Sequence, residues 1–134
     1  MYYFAYASNM NKKQMLERAP ASQPLFTATL PNYKLAFSGW SRQWRGGYAT
    51  IVLSRGDKVL GAIYEVSESD LRRLDSYEDC PRSYNRIKVT VFDEDGNALE
   101  ALTYIKAGRL EPTQPSEAYL AVIQQGYRDW ELFR

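Results

Sequence analysis

The sequence contains no histidine and a single cysteine, Cys80, among its 134 residues. One cysteine excludes an internal disulfide, and the lack of histidine removes the usual zinc sites and catalytic triads, so no residue is assigned to a metal. Any general base must then be a carboxylate, a lysine, a tyrosine or an amine brought by the substrate. Cys80 has no evident activating base and reads as an inert thiol. Charge of one sign is scarce too: 17 Lys and Arg against 16 Asp and Glu leave a net charge of +1. That balance speaks against nucleic acid and against an anionic membrane surface as partners. The densest basic pair, Arg72 and Arg73, reads as the solvated side of a helix. No run approaches the roughly 20 apolar residues of a membrane span, and the start shows no basic region followed by an apolar stretch and a cleavage site. A cytoplasmic protein is expected.

What is present is ordinary in amount, with 45% hydrophobic and 25% charged residues. Residues 1–134 are read as one domain, long enough for a single core. Tyrosine is the one excess, eleven in all; most suit half-buried strand positions, and a few are free to point hydroxyls into a cavity. Residues 2–6 read as a short buried strand. Asn11 followed by Gln14 has the form of a capping box opening a helix, with Met15 and Leu16 turned inward and an end near Pro20. Residues 25–37 look like two strand segments hinged at Pro31-Asn32. The glycines and polar residues of 38–47 suggest a loop. YATIVLS (48–54) and KVLGAIYEV (58–66), joined by Arg55-Gly56-Asp57, read as a hairpin.

Ser67 caps a helix over 67–78, with Asp70 at its third position. Strands at 84–92 and 98–106 flank the turn residues DEDGN. A last helix starts near Ser116 and carries Tyr119, Leu120, Ile123 and Tyr127 on one stripe. About six strands and three short helices result. The expected class is α+β: a mixed, mostly antiparallel sheet curled into a small barrel, with short flanking helices.

Two places invite chemistry. Leu71, Leu74 and Glu78 stand at i, i+3 and i+7, so a helix that continues this far buries a carboxylate beside two leucines. Burial raises a carboxyl pKa toward the range in which a general acid or base works at neutral pH. If the helix instead stops at Ser76 or Tyr77, Glu78 swings into solvent. Asp75 reads as structural, capping or pairing with Arg72. At the other place the apolar run MYYFAYA gives way to Ser8 and Asn9 just before a helix. Such a turn either caps the helix or offers unpaired N–H groups to a carboxylate or a developing oxyanion.

YASNM (6–10), WRGGYATI (44–51), LDSYED (74–79) with a tyrosine six residues after the glutamate, and a late tyrosine-bearing helix stand in this order along the chain. Together they resemble the γ-glutamylcyclotransferase family, whose signatures are Tyr-Gly-Ser-Asn-Leu after the first strand and Leu-Asp-x-x-Glu-Gly around the catalytic glutamate. The resemblance runs from Tyr3 to about Tyr127. It implies a substrate-binding loop of Tyr6, Ala7, Ser8 and Asn9, proton transfer by Glu78, and pocket tyrosines at Tyr84, Tyr104 and Tyr119. It implies ring closure without a cofactor on a small-molecule γ-glutamyl substrate, giving 5-oxoproline and a free amine. Rival readings keep the fold but either remove a γ-glutamyl group from a larger acylated metabolite or bind without turnover. Arg42, Trp44 and Arg45 are candidates for further substrate contacts. Ala7 and Asp79 stand where the family usually has glycine, so a loop needing positive φ at position 7 would be strained.

Overall fold

A computed structural model describes residues 1–132. Its elements, in order, are β1 (Tyr2–Ala5), a single 3-10 turn (Ala7–Met10), α1 (Lys12–Arg18), β2 (Gln23–Ser41), β3 (Gly46–Glu65), α2 (Glu68–Tyr77), β4 (Tyr84–Asp93), β5 (Ala98–Lys106) and α3 (Glu117–Asp129). The strands close into a barrel in the order β1-β3-β2-β4-β5. Most neighbours are antiparallel; closure comes from a parallel contact of β1 with β5 at Tyr3 and Leu102. The expected α+β barrel with flanking helices is therefore present.

The strand count differs from the expectation of about six, because 48–54 and 58–66 do not pair with each other. Both belong to β3, which runs antiparallel to β2 from Ser41 opposite Gly46 to Gln23 opposite Glu65. The chain around Arg55-Gly56-Asp57 bulges out of the ladder instead of reversing it. Opposite it, Asn32 takes a positive φ of 65° and accepts a hydrogen bond from the Gly56 N–H at 3.1 Å. The true reversal lies at 42–45, so most of the expected 38–47 loop is strand. Gly46 and Gly47 are not turn residues either: a Cβ on Gly47 would meet the Thr113 carbonyl oxygen at 2.1 Å. Their role is to let the 113–116 segment lie against β3. The β4–β5 hairpin follows expectation, with Tyr84 opposite Lys106 and Phe92 opposite Ala98.

Strand alternation sends the two faces of β1 into two cores. Phe4 joins Leu30, Ile51, Ile63 and Val91 inside the barrel. Tyr3 and Ala5 face outward and are covered by Met10, Met15, Leu71 and Leu74 from the turn and from α1 and α2. Leu16 and Leu120, expected to point inward, are among the exposed apolar residues. Each adjoins a residue that does fill the core, Met15 and Tyr119, and one helical step of about 100° turns it away. Trp130 is half-buried: its Nε1 donates to the Met10 carbonyl at 2.8 Å and its ring meets Tyr64 edge-on. Gly126 completes this clamp, since a Cβ there would lie 2.8 Å from the Asn11 nitrogen. α3 thus presses directly on the 7–11 backbone.

Candidate active site

Glu78 is placed by how α2 begins and ends. Ser67 and Asp70 form a reciprocal capping box, fixing the start. The helix stops at Tyr77, but Glu78 keeps helical angles (φ −87°, ψ −2°) as the C-cap. Its side chain stays on the buried face with Leu71 and Leu74, at 6% exposure. Asp79 then turns left-handed, φ 52°. Its N–H reaches the Ser76 carbonyl at 3.2 Å and that of Cys80 reaches Asp75 at 2.9 Å. This double bond pattern is a Schellman stop, whose left-handed position favours glycine. Asp79 is held there by its own side chain, which accepts from Ser83 at 2.7 Å and from Arg82 at 3.0 and 3.1 Å.

The 7–10 turn repeats this theme. Ala7 has φ 53°, the strained conformation its glycine-like position called for, and Tyr6 gives the turn no side-chain cap. Its first N–H groups therefore lack a capping side chain. The side chains of Ser8 and Asn9 are anchored by α1, whose Asn11 caps it by accepting from the Gln14 N–H at 3.0 Å. The Gln14 side chain does not close a capping box: its Nε2 donates to Ser8 Oγ and to Asn9 Oδ1, both at 2.9 Å. Asn9 Oδ1 also accepts from Arg18 at 3.1 Å, and Asn9 Nδ2 donates to the Tyr3 hydroxyl at 2.7 Å.

Tyr6, Ala7, Ser8, Asn9, Glu78, Tyr104 and Tyr119 together line one small cavity of about 10 Å³, shared with Tyr3, Tyr48 and Ala49. Tyr84 lies in the adjoining open groove of about 320 Å³, which Glu78 and Tyr48 also border. Glu78 thus stands where an enclosed cavity meets an accessible one. Among the described residues its Oε2 is buried without a hydrogen-bond partner, which in a native fold calls for an explanation. Burial pushes its carboxyl up to about 7, against the opposing pull of the Arg18 charge and the Tyr48 hydroxyl. Burial, aided by the Glu78 charge, pushes Tyr48 up to about 12, so its phenol remains protonated.

Most tyrosine hydroxyls are committed to the frame. Tyr6 donates to the Tyr104 carbonyl at 2.6 Å, Tyr84 to the Ala49 carbonyl at 2.9 Å, and Tyr104 to Asp75 at 2.6 Å. The Tyr119 hydroxyl accepts from the Ala49 N–H at 3.0 Å. Asp75 is structural as expected, but its ion-pair partner is Arg86 at 3.1 Å, not Arg72. Trp44 packs on Tyr119 at 5.1 Å; it borders neither cavity, and neither do Arg42 and Arg45.

The family described as "Gamma-glutamyl cyclotransferase, AIG2-like" matches residues 3–131. The chain belongs to the γ-glutamylcyclotransferase family. It is 32% identical over 132 residues to a human protein named γ-glutamylcyclotransferase, covering 95% of this chain and 70% of that one. A bovine γ-glutamylaminecyclotransferase is 43% identical over a shorter span of 54 residues, 40% of this chain and 32% of that one. A solved γ-glutamyl cyclotransferase superposes with a TM-score of 0.93 at 31% identity, covering 98% of this chain and 80% of that one. Family membership makes this an enzyme fold. Reading the sequence overlooked Arg18 and Tyr48 as members of the site. Tyr48 stands inside WRGGYATI, and Gln14 and Arg18 share a helix face at i, i+4, the one sequence signal for an inward-pointing cation on α1.

Proposed function

We propose that this chain cyclises the γ-glutamyl group of a small γ-glutamyl compound to 5-oxoproline and releases the free amine. The observation that carries the reading is Glu78: a buried carboxyl, pushed up to about 7, with one oxygen unpartnered among the described residues at the mouth of a cavity. Such a group exchanges protons readily near neutral pH. Glu78 takes a proton from the substrate's α-ammonium. The freed amine attacks the γ-carbonyl carbon, forming the ring C–N bond. As the carbonyl re-forms and the bond to the leaving nitrogen breaks, Glu78 returns the proton to that nitrogen, and the second proton shed by the ring nitrogen passes to the departing amine, which leaves as its ammonium. One carboxyl serves both transfers, and no cofactor is required.

The uncapped N–H groups of the 7–10 turn hold the substrate's carbonyl oxygen or its α-carboxylate, and Tyr6, Ala7, Ser8, Asn9, Tyr84, Tyr104 and Tyr119 shape the wall. Committed hydroxyls keep that wall rigid, so the amine and carbonyl are held together. Intramolecular attack in a fixed geometry can lower a barrier by ~7–11 kcal/mol. Residues 1–134 act in this reading as one domain in the cytoplasm. Among the described residues no helix is long and apolar enough to cross a membrane.

The test is product analysis with purified protein and a panel of γ-glutamyl amino acids and γ-glutamyl amines. At least one compound should give 5-oxoproline and free amine in equal amounts. Release of glutamate in place of 5-oxoproline, or no product from any member, overturns the reading.

A further inference from the structure

The open groove beside Glu78 has a charge pattern that the ring-closing chemistry does not use. Three charged side chains besides Glu78 line it. Asp79 borders the groove, but its carboxylate is paired with Arg82 and bonded to Ser83. Arg18 borders it from the buried side, its guanidinium bonded to Asn9 and Tyr48 and laid over the Tyr77 ring. Lys106 is different. Its backbone N–H is held by Thr50 Oγ1 at 2.9 Å, which fixes the end of β5 at the groove. Its ammonium lies by Gly39, where a Cβ would meet Nζ at 3.9 Å. Among the described residues it has no ion-pair partner. The two exposed aromatics of this groove, Trp40 at 68% and Tyr77 at 51% exposure, stand on its walls.

With Asp79 neutralised by Arg82 and the Arg18 charge facing Glu78, Lys106 is the groove's unmatched charge, which favours an anion and repels a cation. The glutamyl end of the substrate is taken up at Glu78 and the 7–10 turn, so what extends into the groove is the leaving amine. We propose that Lys106 is a specificity-determining residue that selects leaving amines carrying a carboxylate and disfavours those carrying a further positive charge. Trp40 and Tyr77 supply apolar contact for the side chain of such a leaving group. This inference rests on the proposed ring closure, and its test separates the two.

γ-Glutamyl-alanine and γ-glutamyl-ethylamine differ only in the carboxylate of the leaving amine. Wild-type protein should release 5-oxoproline from the first with a kcat/KM about tenfold or more above the second, the usual scale of one charge-assisted hydrogen bond. In Lys106→Met, which keeps the apolar stem, the ratio should fall to within about twofold of unity. Wild type should also prefer γ-glutamyl-alanine to γ-glutamyl-putrescine, and Lys106→Glu should reverse that preference. A wild-type ratio near unity, or a ratio that Lys106→Met leaves intact because both substrates suffer equally, overturns the role of Lys106 while ring closure stands. No 5-oxoproline from either substrate overturns both.

Discussion

Glu78 binds its proton more tightly in the folded chain than outside it, and this links stability to pH. Its carboxyl moves from the ordinary 4.5 to about 7 on burial. Below about 4.5 both states hold the proton and the group costs nothing. Between the two values the unfolded chain ionises while the native one does not, so stability falls as pH rises. The loss is complete above about 7 and amounts to at most about 3 kcal/mol at 1.36 kcal/mol per pH unit. Glu78→Gln keeps the shape without the charge. It should therefore be more stable than wild type by on the order of 2–3 kcal/mol at pH 8, with the difference shrinking toward pH 4.5. Urea denaturation at the two pH values measures this, and equal stability at pH 8 would contradict the buried charge. Ala7 and Asp79 belong to the same scale. Both take left-handed backbone angles, at a cost of roughly 1–2 kcal/mol for a residue with a Cβ.

Among the elements, the 7–10 turn is held in a vice between α1 and α3. Gly126 is where α3 touches it, with the Asn11 nitrogen and the Met10 carbonyl carbon 2.8 and 2.9 Å from a hypothetical Cβ. Helix propensity alone favours alanine there by about 1 kcal/mol. The clash is with backbone, which cannot rotate away, and overpacking of this kind costs about 1–3 kcal/mol. Gly126→Ala should thus be less stable than wild type by thermal melting and should lose activity as the turn shifts; a raised Tm would contradict the contact. Local signals in the sequence were good guides to element ends. Asn11, Ser67, Ser116 and the 93–97 turn all do what their chemistry suggested. Arg55-Gly56-Asp57 misled because a glycine with positive φ suits a bulge as well as a reversal. Only the non-local partner, the whole length of β2, distinguishes the two.

Over the whole molecule, the site is gathered from the end of β1, the end of α1, the start of β3, the end of α2, the β4–β5 hairpin and the start of α3. The Tyr6 hydroxyl donates to the Tyr104 carbonyl, 98 positions along the chain. Periodicity could put Glu78 on a buried face of one helix, but only the family resemblance connected it with residues 6–9. The buried Arg18 was legible only through the helix face it shares with Gln14, because its partners, Asn9 and Tyr48, lie on other elements. The barrel serves to bring these groups around one carboxyl that is free to exchange a proton. The central claim is that this carboxyl carries the proton during ring closure. The direct measurement is the rate of 5-oxoproline formation by wild type and by Glu78→Gln, side by side on the best γ-glutamyl substrate at pH 8, with folding verified. The account predicts a variant slowed by about 10²–10⁴-fold; a folded variant that forms 5-oxoproline at the wild-type rate would contradict it.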